Sequence, residues 1–279
     1  MGPDKVLVGT WGGGLNIFNK KTETFRKIVS DPINPNSISG DFIYSIFTDK
    51  TDIMWIGTDF MGVNKYNQLR SSFIHYKYDP LNPNGLNNNS VTAILEDSRG
   101  IFWLGTAGGG LNRFNYDNAS FSFFVHEPQN PITITNNVIK ALCEDTGGNI
   151  WVATELGLNR LNPETGDIKR YFPNPDDPNS LSFHNIYSLY VDRKGDLWVG
   201  TYSGGLNKYN SKTDQFINYR HDPADPTSIS DNYIWNIYED TKGNFWIGTD
   251  NGGLNLFDRN TGKFTRFKND PDNPHSILS

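Results

Sequence analysis

The 279-residue chain has 20% charged residues and a formal net charge of -6 with no basic stripe, which argues against nucleic acid and anionic membrane as partners. Its apolar runs are a few residues long, too short to span a bilayer, and Met1-Gly2-Pro3-Asp4-Lys5 lacks the apolar core of a signal peptide. The single Cys143, in the strand-like run Lys140-Ala141-Leu142-Cys143, excludes an internal disulfide and reads as a small buried hydrophobe.

In chain order, the first strand signal is Val6 to Thr10. It ends in a Gly-Thr that recurs along the chain, as Thr10, Thr58, Thr106, Thr154, Thr201 and Thr249, in steps of 48, 48, 48, 47 and 48. The short step has a local cause: the fourth copy, Thr154 to Asn159, is one residue shorter between Thr and the Asn of Gly-Leu-Asn. A period this regular predicts a repeat architecture.

The unit from Ile229 to Phe267 shows the contents of one repeat. Tyr233 to Tyr238 is rich in β-branched and aromatic residues, and the turn Asp240-Thr241-Lys242-Gly243 follows it. Asn244 to Thr249 is a second strand, Leu254 to Phe257 a third and Lys263 to Phe267 a fourth. Four short strands joined by tight turns predict an antiparallel meander, with almost no helix.

Between repeats runs a connector, written Asp31-Pro32-Ile33-Asn34-Pro35-Asn36-Ser37 in its first copy, and 12 of the 15 prolines lie in such connectors. Proline removes a donor and fixes φ, so these segments link sheets without joining them. The expected fold is all-β: a β-propeller of four-stranded antiparallel blades in a single domain, residues 1–279. Blade repeats fall at about 6–40, 41–88, 89–136, 137–183, 184–231 and 232–279. First strands number five against six of every other kind, so the first blade lacks its innermost strand. The chain stops at Ser276-Ile277-Leu278-Ser279, where another first strand would start. The open edge of the first blade is an expected route to self-association.

The run Asn244-Phe245-Trp246-Ile247-Gly248-Thr249 followed by Gly252-Gly253-Leu254-Asn255, with Phe264, Phe267 and the Asp-Pro connector, resembles the two-component regulator propeller repeat. The resemblance covers essentially the whole chain. It implies the extracytoplasmic, periplasmic sensor part of a bacterial hybrid histidine kinase, in a family often tied to polysaccharide foraging.

Positions that repeat in every copy read as structural. These are the Thr of Gly-Thr and Asn16, Asn64, Asn112, Asn159, Asn207 and Asn255, whose side chains are expected to bond backbone across the turn. Positions that vary read as specificity. After the Thr residues stand Trp11, Phe60, Tyr202 and Asn251; at the lead-in to the first strands stand Asp41, Asn89, Asn137, His184 and Asn232. Aromatic faces beside amides and carboxylates suit an oligosaccharide or other small ligand. Further along the first strands, Tyr44, Thr92, Lys140, Tyr187 and Trp235 share one position and read as blade packing. No catalytic motif, metal-ligand spacing or cofactor loop is present, so a non-catalytic sensing propeller is expected. A propeller-type polysaccharide lyase or glycosidase is the alternative, and a structural, protein-interaction propeller the second.

Overall fold

A computed structural model of the chain describes residues 4–67 and 72–277; Leu278 and Ser279, where a further first strand was expected to begin, lie outside this range. The described residues form strands, turns and loops, with no helix among them. Two compact units are formed, Met1–Thr133 with Asn137–Ile139, and Ile134–Asn136 with Lys140–Ser279.

The first unit holds three blades. The first has only three strands, β1 (Lys5–Thr10), β2 (Gly14–Asn19) and β3 (Thr24–Ile28), in the order β1-β2-β3. The second has β4 (Ile43–Thr48), β5 (Met54–Thr58), β6 (Val63–Asn67) and β7 (Ser72–Tyr76). The third has β8 (Val91–Glu96), β9 (Phe102–Thr106), β10 (Leu111–Asn115) and β11 (Ser120–Phe124). The second unit holds the other three. They are β12 (Ile139–Glu144) to β15 (Ile168–Tyr171), with β13 (Ile150–Thr154) and β14 (Gly157–Leu161) between; β16 (Ile186–Val191), β17 (Leu197–Thr201), β18 (Leu206–Asn210) and β19 (Gln215–Tyr219); and β20 (Ile234–Glu239), β21 (Phe245–Thr249), β22 (Leu254–Asp258) and β23 (Lys263–Phe267). Every blade is an antiparallel meander in sequence order, so the all-β propeller with an incomplete first blade is the fold observed.

Each blade is built by the same few contacts. In the turn from β8 to β9, Asp97 Oδ1 accepts from the amides of Arg99 (3.0 Å) and Ile101 (2.9 Å), and Gly100 takes φ +80° to close it. Asp97 Oδ2 accepts from the Trp103 indole at 3.0 Å, across the hairpin. The same Asp–Trp bond joins Asp49 to Trp55, Asp145 to Trp151, Asp192 to Trp198 and Asp240 to Trp246, at 2.7 to 3.2 Å. In the first blade Leu7 stands where the Trp would be.

Trp55, Trp151 and Trp198 wedge between neighbouring blades, as expected of the repeated Trp. Trp55 meets Phe102 and Phe114 of the next blade at 4.8 and 5.8 Å; Trp151 meets Tyr209 at 4.8 Å and Trp198 meets Phe245 at 4.9 Å. Burying a side chain of this size stabilises by roughly 4–6 kcal/mol at 25 cal/mol per Å². Cross-strand cations cover the outer ring faces: Lys65 over Trp55, Arg160 over Trp151 and Lys208 over Trp198.

Candidate functional site

The repeated Thr and Asn residues do frame the blade, but the Asn partner differs from the one expected. Thr58, Thr106, Thr201 and Thr249 donate to the carbonyl of the glycine four residues on, closing the turn. The Asn residues reach further. Asn207 Oδ1 accepts from the Ser182 amide at 2.9 Å, and its Nδ2 donates to Ser182 Oγ (2.8 Å) and the Val199 carbonyl (3.3 Å). Asn64 grips Ser39, Asn159 grips Thr135 and Asn255 grips Ser230 in the same way, each 25 or 24 residues back. Each Asn thus pins the incoming connector onto its blade. Asn16 stays within the turn, its Nδ2 on Gly14 O at 3.4 Å.

The lead-in residues carry part of the frame as well. The side-chain oxygens of Asp41, Asn89, Asn137 and Asn232 accept from the amides of Ser30, Tyr78, His126 and His221 at 2.6 to 2.8 Å. Their own carbonyls accept from Gly14, Gly62, Gly110 and Gly205 of the preceding blade. His184 breaks this pattern: it is exposed and stacks on Phe183 at 4.3 Å. The ring nitrogens of His75 and His221 bond the connector carbonyls of Ser37 and Ile229, each at 2.8 Å.

The first-strand position read as packing is corrected at Tyr44 and Trp235. Pairing of β4 with β5 passes from Ile43 to Ser45, leaving Tyr44 without a partner. Thr92, Tyr187 and Trp235 are skipped in the same way in β8, β16 and β20. A bulge of this kind re-aims one side chain out of the sheet and is favoured beside functional sites. Tyr44 and Trp235 are 43% and 49% exposed, which wedging between blades would not allow.

Each skipped residue is matched with the residue after the Thr of its own blade, 15 positions on. The Trp235 indole donates to Asp250 Oδ1 at 2.8 Å. The Lys140 ammonium, at the equivalent place in β12, meets Glu155 at 2.9 Å. Tyr187 stacks on Tyr202 with centroids 5.6 Å apart. Tyr44 bonds Asp59, which together with burial pushes its phenol up from the usual range. In the third blade the pair is Thr92 and Ala107, and the Thr92 hydroxyl turns to the Ile139 carbonyl at 2.8 Å.

In the second unit these pairs gather into one wall. Tyr202 meets Tyr233 at 4.4 Å, Tyr187 meets Trp235 at 4.6 Å, and Lys140 lies 5.5 Å over the Tyr187 ring. Asn251 joins it, its amide donating to Asp231 Oδ2 at 3.0 Å and its side chain to Asp250 Oδ2 at 2.7 Å. Of the nine ligand-binding candidates, the structure brings Tyr202 and Asn251 into this wall.

In the first unit, Trp11 packs edge-on against Phe42 and Tyr44 at 5.1 and 5.2 Å and is 65% exposed. Phe60 is 71% exposed and holds φ +60°, where Gly12 and Gly108 stand in other copies. An exposed ring kept in a conformation that costs of order 1 kcal/mol points to a use for the ring. Among the described residues no group of three or more His, Cys, Asp or Glu is placed to hold a metal, and no helix is long and apolar enough to cross a membrane.

A constant frame bearing a variable pair in each complete blade defines a repeat propeller. The two-component regulator propeller model matches residues 37–60, 85–108, 133–155, 180–203 and 228–251, and the chain belongs to this repeat family. No curated relative matches it. Among solved structures it is similar to the extracellular domain of a B. thetaiotaomicron chain assigned as a hybrid two component system, with 24% identity and a TM-score of 0.75 over 91% of this chain and 32% of that one. A second such domain from B. thetaiotaomicron gives 21% identity and a TM-score of 0.60 over 96% of this chain and 40% of that one. Virginiamycin B lyase from Staphylococcus aureus gives 16% identity and a TM-score of 0.60 over 81% of this chain and 70% of that one. At these identities the likeness concerns the fold. The chain spans about a third of the length of the first structure it matches.

Proposed function

We propose that the chain is the ligand-reading part of an extracytoplasmic, periplasmic sensor, and that it binds an oligosaccharide without altering it. The wall of Tyr187, Tyr202, Tyr233 and Trp235, set beside Asp231, Asp250 and Asn251, carries this reading. Tyrosine and tryptophan rings stack on the apolar face of a pyranose, while fixed carboxylates and amides bond its hydroxyls. The extracellular two-component relatives support a sensing role. A non-catalytic role is supported by the tasks already taken by His75 and His221, whose ring nitrogens tie down connectors.

The test is titration of the chain with neutral, anionic and cationic oligosaccharide sets, followed by product analysis. Binding should appear in one set and fall at least tenfold in Trp235→Ala and Tyr202→Ala, with no new reducing ends or unsaturated products. Turnover abolished by His184→Ala would establish the lyase or glycosidase alternative instead. Absence of binding by every set would end the sugar reading.

A further inference from the structure

The inference here rests on the oligosaccharide reading and concerns which sugar the wall selects. Asp250 Oδ1 accepts from the Trp235 indole at 2.8 Å and Oδ2 from Asn251 Nδ2 at 2.7 Å. Asp231 Oδ1 accepts from the Tyr233 amide at 3.1 Å and Oδ2 from the Asn251 amide at 3.0 Å. All four donors are neutral. The bonds fix where the two carboxylates point without cancelling their charge.

Three other carboxylates of this unit meet a cation. Asp192 and Glu239 share Arg259 at 2.7 and 2.6 Å, and Asp214 takes Lys169. The cation of the wall, Lys140, is matched by Glu155 at 2.9 Å. With Lys140 and Glu155 cancelling, Asp231 and Asp250 leave the wall two negative charges in excess. They stand against the rings of Tyr202, Tyr233 and Trp235, whose faces attract cations.

Lys140 itself shows what such a surface holds. Its ammonium sits 5.5 Å over the Tyr187 ring and bonds a carboxylate from the turn of the same blade. Two blades on, Trp235 and Asp250 take the places of Lys140 and Glu155, so that a neutral indole N–H meets the carboxylate where an ammonium met it before.

We propose that the wall binds an oligosaccharide carrying a protonated primary amine, with the ammonium against Asp231 and Asp250 and the sugar face on Trp235 and Tyr202. Uronic acid and sulfated sugars bring like charge to the two carboxylates and are rejected. An exposed ion pair together with a cation over a ring gives about a tenfold preference for the amine over its uncharged acetamide.

The experiment compares glucosamine oligomers, the same oligomers fully N-acetylated, galacturonic acid oligomers and spermidine. Calorimetry is run on the full chain at about pH 6. The expected result is binding of the glucosamine oligomers about tenfold tighter than their acetylated form, with no binding of galacturonate. The preference should vanish in Asp231→Asn with Asp250→Asn, and it should shrink as salt rises. Trp235→Ala should weaken both oligomers and shrink the preference between them.

Equal binding of amine and acetamide forms, or binding of galacturonate, overturns the charge selection while leaving the sugar reading standing. Spermidine binding as tightly as the glucosamine oligomers overturns the sugar part of the proposal. Failure of every oligosaccharide removes both. Circular dichroism of the Asn variants, unchanged from the parent, confirms that a lost preference is not lost fold.

Discussion

Replacing Trp151 tests the reasoning about the blades most directly. The indole is fully buried, stacks on Tyr171 at 5.4 Å, meets Tyr209 at 4.8 Å and donates to Asp145 at 2.7 Å. Trp151→Ala removes the wedge and leaves a cavity, a loss of about 3–5 kcal/mol. The bond to Asp145 adds little to this, because Oδ1 keeps the Gly147 and Asn149 amides and the carboxylate still receives Asn149 Nδ2. About 4 kcal/mol is therefore expected, a large part of the 5–15 kcal/mol that holds an ordinary domain folded. Trp151→Phe keeps most of the wedge and loses the indole bond, for about 1–2 kcal/mol. Trp235→Ala, at an exposed ring, should change stability by less than about 0.5 kcal/mol. Urea unfolding followed by far-ultraviolet circular dichroism measures all three. A loss below about 1 kcal/mol for Trp151→Ala, or one no larger than that of Trp235→Ala, would refute the wedge.

The remaining predictions concern the frame. Asn207→Ala strips the Ser182 amide and the Val199 carbonyl of a buried partner and should cost about 2–3 kcal/mol; a change within error would show that the connector does not need the clamp. Burial pushes the Asp192 carboxyl up, but the Trp198 indole, the Asp196 amide and Arg259 outweigh it and hold it below the usual range. Glu239 likewise ends low, through the Arg193 amide and Arg259. A depressed carboxyl stabilises above its unfolded value and loses that stability as pH falls through its folded one. Stability should therefore be level from neutral pH to about pH 5, then fall below about pH 4. Arg259→Met should flatten that fall, and an unchanged acid limb would remove Arg259 from the account. In its sheet, β1 pairs only with β2. If its other edge mediates self-association, light scattering should show a multimer that Val8→Pro disperses, and a monomer in both forms would dismiss that contact.

The frame was largely legible in the sequence because it is written locally. The Gly-Thr ending, the Asp-x-x-Gly turn and the Asn after Gly-Leu are each settled by bonds within a few residues, and they recur often enough to be seen. The Asn clamp was recognised as structural but given the wrong partner, since Ser182 lies 25 residues before Asn207 and meets it only once the connector has folded back. The wall was legible only in halves. Tyr202 and Asn251 stood out after the Thr residues, while Tyr187 and Trp235 were read as packing. Whether a strand residue faces its neighbour or leaves the sheet depends on pairing register, and the skipped partner at Trp235 is a property of two strands together. The spacing of 15 between Trp235 and Asp250 was present in the sequence. It gains meaning only when hairpin and bulge set the two side chains side by side.

The bulge has a consequence for how such a chain can change. A residue that owns no rung of the ladder can be exchanged for a larger, smaller or oppositely charged one while every rung around it stays in place. Its companion in the last blade, Asp250, follows a threonine whose hydroxyl closes the turn on the Gly253 carbonyl. Tyrosine with aspartate, lysine with glutamate, tyrosine with tyrosine and tryptophan with aspartate are therefore interchangeable inserts in one mounting. Swapping the Lys140 and Glu155 insert for that of Trp235 and Asp250 would rewrite the wall without touching a single wedge or clamp, so new selectivity is reachable in two substitutions, each tolerated by the fold on its own.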